Sequence, residues 1–239
     1  MAFPFPGGGP RWRGFNLLYL FSERHAAEPR EEDFRWIAEW GFDFVRLPMS
    51  YRLYSDPSDP FRINEKALAS LDRAVELGLR HGIHVNLNLH RAPGYCVNPP
   101  AEPVSLWQDP RALHAFRFHW ALFARRYADV APERLSFDLL NEPPGDGERG
   151  MRRDDYVRIV RAATEAVREI SPKRLIIADG LNYGNEPLPE LADLQIGQSC
   201  RGYLPMGISH YQASWVKGET YPPPTWPQGW HYGVYYDRA

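Results

Sequence analysis

The sequence predicts an α/β fold, a (β/α)8 barrel in which about six of the eight βα units are recognisable. Short apolar segments alternate with longer amphipathic segments over most of the chain, which is typical of parallel strands joined by helices. Polar residues follow the ends of several predicted strands, where a barrel collects its active site. The alternative, an open doubly wound sheet, carries a glycine-rich phosphate loop after its first strand, and Asn16-Leu17-Leu18-Tyr19 is not such a loop.

Each predicted strand is a short apolar run preceded by a helix or a turn. We expect the strands at residues 14–18, 42–47, 84–89, 135–140, 175–178 and 206–209. We expect helices at residues 31–40, 65–81, 110–128 and 153–170, and a helix-like segment at 188–194.

The second helix shows the helical signals most clearly. Leu68, Leu71 and Val75 recur at the spacing that places apolar side chains on one helix face. Gly82 follows this helix and Gly41 follows the first one, at the position where glycine commonly ends a helix. The fourth helix is expected to end before a proline, because the residue preceding proline disfavours helical backbone.

Composition limits the classes of partner. The 239 residues carry 28 Lys and Arg against 30 Asp and Glu, a formal net charge of −2, so neither a nucleic acid nor a membrane surface is expected as a partner. No stretch of roughly 18 apolar residues predicts a membrane span, and the opening segment lacks the basic and apolar regions of a signal peptide. We expect one domain over residues 1–239.

No cofactor or metal site is predicted. Cys96 and Cys200 are too few for a disulfide framework or a set of metal ligands. His114 and His119 are five positions apart on a predicted helix, so their side chains face different directions.

Aromatic residues make up 14% of the chain, with 8 Trp and 13 Tyr. Aromatic faces pack against the C–H groups of pyranose rings, so this composition suits a sugar-binding surface. Trp107 and Trp215 lie in predicted loops and are candidate sugar platforms. The alternative is that such residues fill a large core.

One carboxylate is a candidate for catalysis. Glu142 follows the apolar strand at 135–140, with Asn141 before it and two prolines after it. A carboxyl at the end of a buried strand loses solvation, which favours its protonated form and suits a general acid. The adjacent amide of Asn141 is suited to bind a sugar hydroxyl near the scissile bond. The alternative is that Glu142 caps the next helix or pairs with a surface arginine.

Four short motifs resemble the glycoside hydrolases of family 5, which are retaining glycosidases of the (β/α)8 TIM-barrel type. The motifs are Arg46-Leu47-Pro48 after strand two, Asn88-Leu89-His90 after strand three, Asn141-Glu142-Pro143 after strand four and His210-Tyr211 after strand six. The resemblance covers essentially the whole chain in order. It implies a polysaccharide substrate and secretion from the cell.

The resemblance also implies roles for individual residues. Glu142 would be the acid/base, Asn141 would hold the 2-hydroxyl of the substrate, and Arg46 would support the carboxylate of the nucleophile. His90 and His210 would line the subsite around the cleaved bond. The alternatives are an ion-pair role for Arg46 and core positions for the two histidines.

Two features depart from the family pattern. Members often place a Tyr two residues after the strand-six histidine, and here that position is Gln212, so Tyr211 becomes the candidate for substrate binding. The family takes its nucleophile from the end of strand seven, but only 28 residues follow Tyr211, too few for two βα units of about 30 residues each. Glu186 and Glu219 are candidate substitutes on loops. The sequence therefore predicts a C-terminally truncated barrel without strands seven and eight.

We expect a retaining endo-β-glycosidase of the cellulase or endoglucanase type, acting on β-glucan or a related hexose polysaccharide such as mannan. Asn98 is expected to reach a sugar, because its loop is similar to loops of β-glucan-cleaving members. This chain alone is expected to be weak or inactive. The alternatives are a carbohydrate-binding module without turnover and a barrel fragment that assembles with itself or with a complementary chain through its open edges.

Overall fold

The computed structural model describes residues 11–216, 221–226, 230–231 and 234–235. The backbone divides into two compact units, Met1–Cys200 and Arg201–Ala239, and each is described by itself. The first unit holds the main sheet and the long helices. The second holds short elements only, within its described residues.

In the described residues, the main sheet has six parallel strands and one short antiparallel strand at its side. The parallel strands are β1 Gly14–Asn16, β2 Phe44–Ser50, β3 His84–Ala92, β4 Leu135–Asp138, β5 Leu175–Asp179 and β6 Gly197–Ser199. The strands lie side by side in chain order, and each pairs in parallel with the next. Successive βα units of a (β/α)8 barrel produce this order, and β1 and β6 are the two edges of the described sheet.

Four long helices connect the strands close to their predicted places. They are α1 Glu31–Glu39, α2 Glu65–Arg80, α3 Pro110–Arg126 and α4 Arg153–Arg168. Asn64 caps α2, since its side-chain oxygen accepts a hydrogen bond from the Ala67 amide at 3.2 Å. Gly41 and Gly82 have φ values of 77° and 74°, so both predicted helix ends are confirmed. None of the helices in the described ranges is long and apolar enough to cross a membrane.

Shorter elements lie in the connections. Ser55–Asp56 pairs antiparallel with Asp59–Ile63, and Tyr95–Cys96 pairs antiparallel with the end of β3. Short helical turns span Tyr51–Leu53, Glu148–Gly150, Leu181–Gly184 and Pro189–Leu194. In the second unit, Trp230–His231 pairs antiparallel with Val234–Tyr235.

The prediction of a sixth strand at residues 206–209 is wrong. Met206–Ser209 forms a short helix in the second unit, and the sixth strand of the sheet is Gly197–Ser199. This strand pairs with β5 only at a sheet edge, and its side chains are not buried, so it lacks the apolar run by which strands are recognised in sequence. The residues that follow it are Cys200 and Arg201, not His210.

Aromatic side chains fill much of the core between the sheet and the helices. Trp120 of α3 has no exposed surface, and its ring centroid lies 5.2 Å from that of Phe137 in β4. The indole N–H of Trp120 donates to the Leu139 carbonyl at 3.2 Å, which satisfies its one polar group. These residues follow the alternative interpretation of the aromatic composition, in which aromatic rings supply core volume.

A buried arginine ties the end of α3 to the sheet. Arg174 is 2% exposed, and its guanidinium donates to the carbonyls of Tyr127, Val130 and Leu135 at 2.8, 2.7 and 2.9 Å. Burial lowers the pKa of Arg174 to about 10, so the group remains a cation near neutral pH. Three carbonyl dipoles therefore solvate this buried charge in place of water.

Candidate active site

Arg46, Asp138 and Asn141 form a hydrogen-bonded cluster at the carboxyl end of the sheet. Arg46 Nε donates to Asp138 Oδ2 at 2.9 Å, and Arg46 Nη2 donates to Asn141 Oδ1 at 2.9 Å. The side chain of Asp138 is 3% exposed and that of Arg46 is 16% exposed. Arg46 thus makes the ion pair that we considered as its alternative role, and it also fixes the orientation of the Asn141 amide.

Backbone hydrogen bonds to both neighbouring strands continue past Asp138, the last residue of β4. The Leu139 amide donates to the Ile177 carbonyl in β5 at 2.9 Å, and the Asn141 amide donates to the Leu89 carbonyl in β3 at 3.2 Å. The chain after β4 therefore runs between its two neighbours. It delivers Asn141 and Glu142 to the carboxyl edge, where the active site of a barrel lies.

Glu142 has a left-handed backbone conformation, held on both sides by buried groups. Its φ is 49°. The Glu142 amide donates to Asp179 Oδ2 at 2.8 Å, and the Tyr95 hydroxyl donates to the Glu142 carbonyl at 2.6 Å. Non-glycine residues avoid this conformation because Cβ crowds the carbonyl oxygen. Strained backbone of this kind is concentrated at functional sites.

Tyr95 reaches Glu142 from the hairpin that follows β3. The turn needs a glycine at position 94, where φ is 87° and an added Cβ would lie 2.6 Å from the Leu106 backbone nitrogen. Tyr95 is 4% exposed, and its ring centroid lies 4.9 Å from that of Trp107. Burial raises the pKa of Tyr95 far above its ordinary value, so its hydroxyl remains a donor.

Trp107 lies in the core, which is the alternative that we considered for the loop tryptophans, and its contact with a sugar stays a prediction. Trp107 is only 3% exposed, because it packs between the rings of Tyr95 and Tyr156. Its carbonyl accepts a hydrogen bond from Arg158 Nη2 at 2.6 Å. Trp107 thus supports Tyr95 from the core side.

His90 lies on β3 next to the residue that bonds to the Asn141 amide. Its ring is half-buried, with the centroid 4.6 Å from that of Phe21, and its Nδ1 lies 4.0 Å from Cys96 Sγ. Burial raises the pKa of the Cys96 thiol, so the neutral thiol faces the imidazole. The place of His90 in the subsite around the cleaved bond stays a prediction.

The loop at residues 97–109 is anchored by a buried carboxylate. The side chain of Glu102 is 1% exposed and forms ion pairs with Arg91 at 2.6 Å and with Arg52 at 2.8 Å. The Tyr51 hydroxyl donates to Glu102 Oε2 at 2.7 Å. Asn98 in this loop is exposed, and its carbonyl accepts from Arg91 Nη2 at 3.0 Å. Its predicted contact with a sugar stays a prediction.

A left-handed turn braces the segment that follows Glu142. Asn182 and Tyr183 have φ values of 52° and 58°. Their amides donate to the carbonyls of Pro144 and Pro143 at 3.2 and 2.8 Å. The loop after β5 therefore holds the two prolines directly behind Glu142.

Glu186 and Glu219 are the two carboxylates considered as substitutes for the nucleophile. Glu186 forms an ion pair with Arg153, and its side chain is 43% exposed. Glu219 lies outside the described residues. In the described part of the chain, no group of three or more His, Cys, Asp or Glu side chains could hold a metal ion.

Three predicted residues lie in the second unit. His210 and Tyr211 directly follow the short helix Met206–Ser209, and the Trp215 side chain is 72% exposed. The His210 ring centroid lies 6.3 Å from that of Trp215. Because this segment is not a strand of the sheet, the strand-end position of His210 and Tyr211 is corrected, while their roles and that of Trp215 stay predictions.

Sequence reasoning missed Asp138, Asp179 and Tyr95. Asp138 and Asp179 each end a buried strand, and a charged residue in a buried strand is a signal that a buried partner exists. Tyr95 gave no comparable signal, because only the fold brings its hydroxyl to the carbonyl of Glu142.

The chain matches the family model for cellulase, glycosyl hydrolase family 5, over residues 4–201. It is 30% identical over 190 residues to endoglucanase C of Acetivibrio thermocellus, covering 77% of this chain and 53% of that protein. It is 25% identical over 195 residues to cellodextrinase A of Ruminococcus flavefaciens, covering 78% and 55% of the two chains. The chain therefore spans about half the length of these relatives.

Solved structures are similar over most of the described chain. The crystal structure of a glycoside hydrolase matches with a TM-score of 0.89 and 40% identity, covering 95% of this chain and 71% of that one. A structure of Cel5A from Thermotoga maritima in complex with cellobiose matches with a TM-score of 0.70 and 23% identity, covering 87% and 65%. The predicted fold class, a partial (β/α)8 barrel, is confirmed by these matches and by the six parallel strands.

Proposed function

Since the chain belongs to the cellulase family, glycosyl hydrolase family 5, we propose that it carries the acid/base side of a retaining glycosidase site acting on β-linked glucan. The observation that carries the proposal is the pair Asn141-Glu142 at the end of β4, with Arg46 bound to the Asn141 amide and two buried groups bound to the Glu142 backbone. Similar proteins named endoglucanase and cellodextrinase support a glucan substrate. A similar structure in complex with mannotriose supports mannan as the second substrate class.

Each residue of the site has a role in the proposed reaction. Glu142 protonates the glycosidic oxygen as its bond to the anomeric carbon breaks, and a carboxylate nucleophile forms the glycosyl-enzyme. Glu142 then removes a proton from the water that releases the sugar. Asn141 binds the 2-hydroxyl of the sugar, and His90 lines the subsite around the cleaved bond. Arg46 supports the nucleophile, because a guanidinium makes strong charge-assisted hydrogen bonds to a carboxylate.

We further propose that the nucleophile lies outside the described residues. Retention needs two carboxyl groups about 5 to 5.5 Å apart. Asp138 and Asp179 are buried and bound to Arg46 and to the Glu142 amide, and Glu186 is paired with Arg153 on the surface. We propose that the nucleophile is supplied from outside this chain and not by Glu219, so the chain alone is weak or inactive.

The open edges of the sheet suggest how the site is completed. β1 and β6 are the edges of the described sheet, and unpaired strand edges accept further strands. We propose that strands of a longer protein, a complementary chain or a second copy pair there. Secretion is also proposed, because a polysaccharide substrate lies outside the cell.

The test compares two Asn-Glu-Pro sites in the same chain. Release of reducing ends from β-glucan and mannan is measured for the purified chain, for Glu142→Gln and for the matched control Glu186→Gln. We expect low release that Glu142→Gln abolishes and Glu186→Gln leaves unchanged. Light scattering records the mass, and calorimetry records binding of cellohexaose.

The outcomes separate the competing functions. Hydrolysis that survives Glu142→Gln would refute the acid/base assignment. Tight binding of cellohexaose in every variant, with no release even when the chain assembles, favours a carbohydrate-binding module. A monomeric mass with a cooperative melt counts against assembly through the sheet edges.

A further inference from the structure

We propose that Tyr95 and Asp179 are positioning residues for Glu142, which hold its peptide groups in the left-handed conformation that sets the direction of its carboxylate at the carboxyl edge of the sheet. The inference rests on the proposed role of Glu142 as acid/base. It adds two residues that do not touch substrate but act through the backbone of the one that does.

Local sequence opposes the conformation of Glu142 in two ways. A non-glycine residue at a φ of 49° is disfavoured by about 1 to 2 kcal/mol, because Cβ crowds the following carbonyl oxygen. Glu142 also precedes Pro143, and the residue before proline prefers extended backbone with negative φ. The conformation must therefore be imposed by contacts with other parts of the fold.

Two hydrogen bonds hold Glu142 in this conformation, one at its amide and one at its carbonyl. Asp179 has no exposed surface and accepts the Glu142 amide at 2.8 Å, while the Tyr95 hydroxyl donates to the Glu142 carbonyl at 2.6 Å. A charged acceptor makes a hydrogen bond about twice as strong as a neutral one. Both peptide planes next to the Glu142 Cα are thereby fixed, which sets the direction of its Cα–Cβ bond.

Each of the two groups is itself held in place. The Asp179 carbonyl accepts from the Tyr156 hydroxyl at 2.9 Å, and the Tyr95 ring packs on the buried Trp107. The contacts come from the connection after β3, from α4 and from the last residue of β5. They form a rigid frame around a residue whose own backbone preference is different.

Aim matters because proton transfer requires hydrogen-bond reach between the acid and the glycosidic oxygen. A displacement of about 1 Å at a reacting group can cost about a hundredfold in rate. Loss of the frame should therefore slow a reaction of the Glu142 carboxylate without weakening sugar binding.

The test uses a reaction of Glu142 that needs no nucleophile from elsewhere. N-bromoacetyl-cellobiosylamine binds as a sugar, and a carboxylate oxygen attacks its bromomethyl carbon. A C–O ester bond forms, the C–Br bond breaks, and bromide leaves with the electron pair. Mass spectrometry of the 239-residue chain gives the labelled residue, the maximal labelling rate and the half-saturating concentration.

Four variants carry the test. Tyr95→Phe removes only the hydroxyl. We expect the maximal labelling rate to fall about tenfold or more, with little change in the half-saturating concentration. Asp179→Ala should act likewise, whereas Asp179→Asn should retain most of the rate because an amide oxygen still accepts. The control is Tyr127→Phe, which loses a buried hydroxyl that donates to Asp72 at 2.9 Å, at the opposite end of the sheet. Melting curves establish that each variant is folded.

Each result has one meaning. A slowed Tyr95→Phe beside an unchanged Tyr127→Phe supports the positioning role, even if Asp179→Ala fails to fold. Equal rates in Tyr95→Phe and the wild type, or equal slowing in both Phe variants, overturn it while the Glu142 assignment stands. Absence of saturable label at Glu142 in the wild type overturns the proposed function, and the positioning role with it.

Discussion

The strained backbone of Glu142 predicts that a glycine there makes the protein more stable than an alanine does. Both Glu142→Gly and Glu142→Ala remove the carboxylate and keep the two backbone hydrogen bonds. They differ only in Cβ, which is disfavoured at a φ of 49°.

The magnitude follows from two opposing terms. Removing Cβ from the left-handed conformation relieves about 1 to 2 kcal/mol. Glycine gives the unfolded chain more freedom, which costs about 0.4 to 1 kcal/mol. The net advantage of Glu142→Gly is about 0.8 kcal/mol, or about 2 °C in Tm for a chain of this length.

Calorimetric melts of the two variants measure this difference. A matched pair, Glu165→Gly and Glu165→Ala, lies on α4, where the backbone is helical and glycine is about 1 kcal/mol less favourable than alanine. The order of the two variants should therefore be opposite at the two positions. Glu142→Gly melting at or below Glu142→Ala would show that the left-handed conformation is not strained.

Three further predictions concern buried side chains that are charged or can become charged. Burial lowers the pKa of His119 from 6.5 to about 4, so the unfolded chain binds its proton first as the pH falls. The free energy of unfolding should drop by about 2 kcal/mol between pH 7 and pH 5 from this group, and His119→Phe should lose less in urea melts. Arg174→Met leaves three buried carbonyls without their donor and should destabilise by about 3 kcal/mol, whereas the surface control Arg161→Met should change the free energy of unfolding far less. Asp138→Asn should cost about 2 to 4 kcal/mol in the same melts, because it leaves the Arg46 guanidinium without its carboxylate, and a cost below 1 would mean that water replaces the pair.

The fold was predictable wherever local sequence carried a physical signal. The apolar face of α2 and the glycines after α1 and α2 predicted helix positions to within a residue or two. The sixth strand was not predictable, because Gly197–Ser199 lies at a sheet edge and buries no apolar run. The segment 206–209 has apolar residues of the kind found in strands, but it forms a helical turn.

The site was predictable only in part for a similar reason. Asn141 and Glu142 follow a recognisable buried strand, so their position at the carboxyl edge follows from the strand itself. The φ of Glu142 and its bonds to Tyr95 and Asp179 depend on contacts 47 and 37 positions apart in sequence. Trp107 lies in a loop by sequence, and only packing against Tyr95 shows that it is a core residue.

The buried carboxylate of Glu102 has a consequence for how this protein can change in evolution. Two guanidinium groups, from Arg52 and Arg91, share that one acceptor. Losing Glu102 alone leaves two largely buried cations without their carboxylate, and losing one arginine removes only half of the compensation, whereas replacing all three by apolar residues can be nearly neutral. Intermediate sequences are therefore less fit than either end state. In related proteins the three residues should be present together or absent together, because replacing them one at a time passes through destabilised sequences.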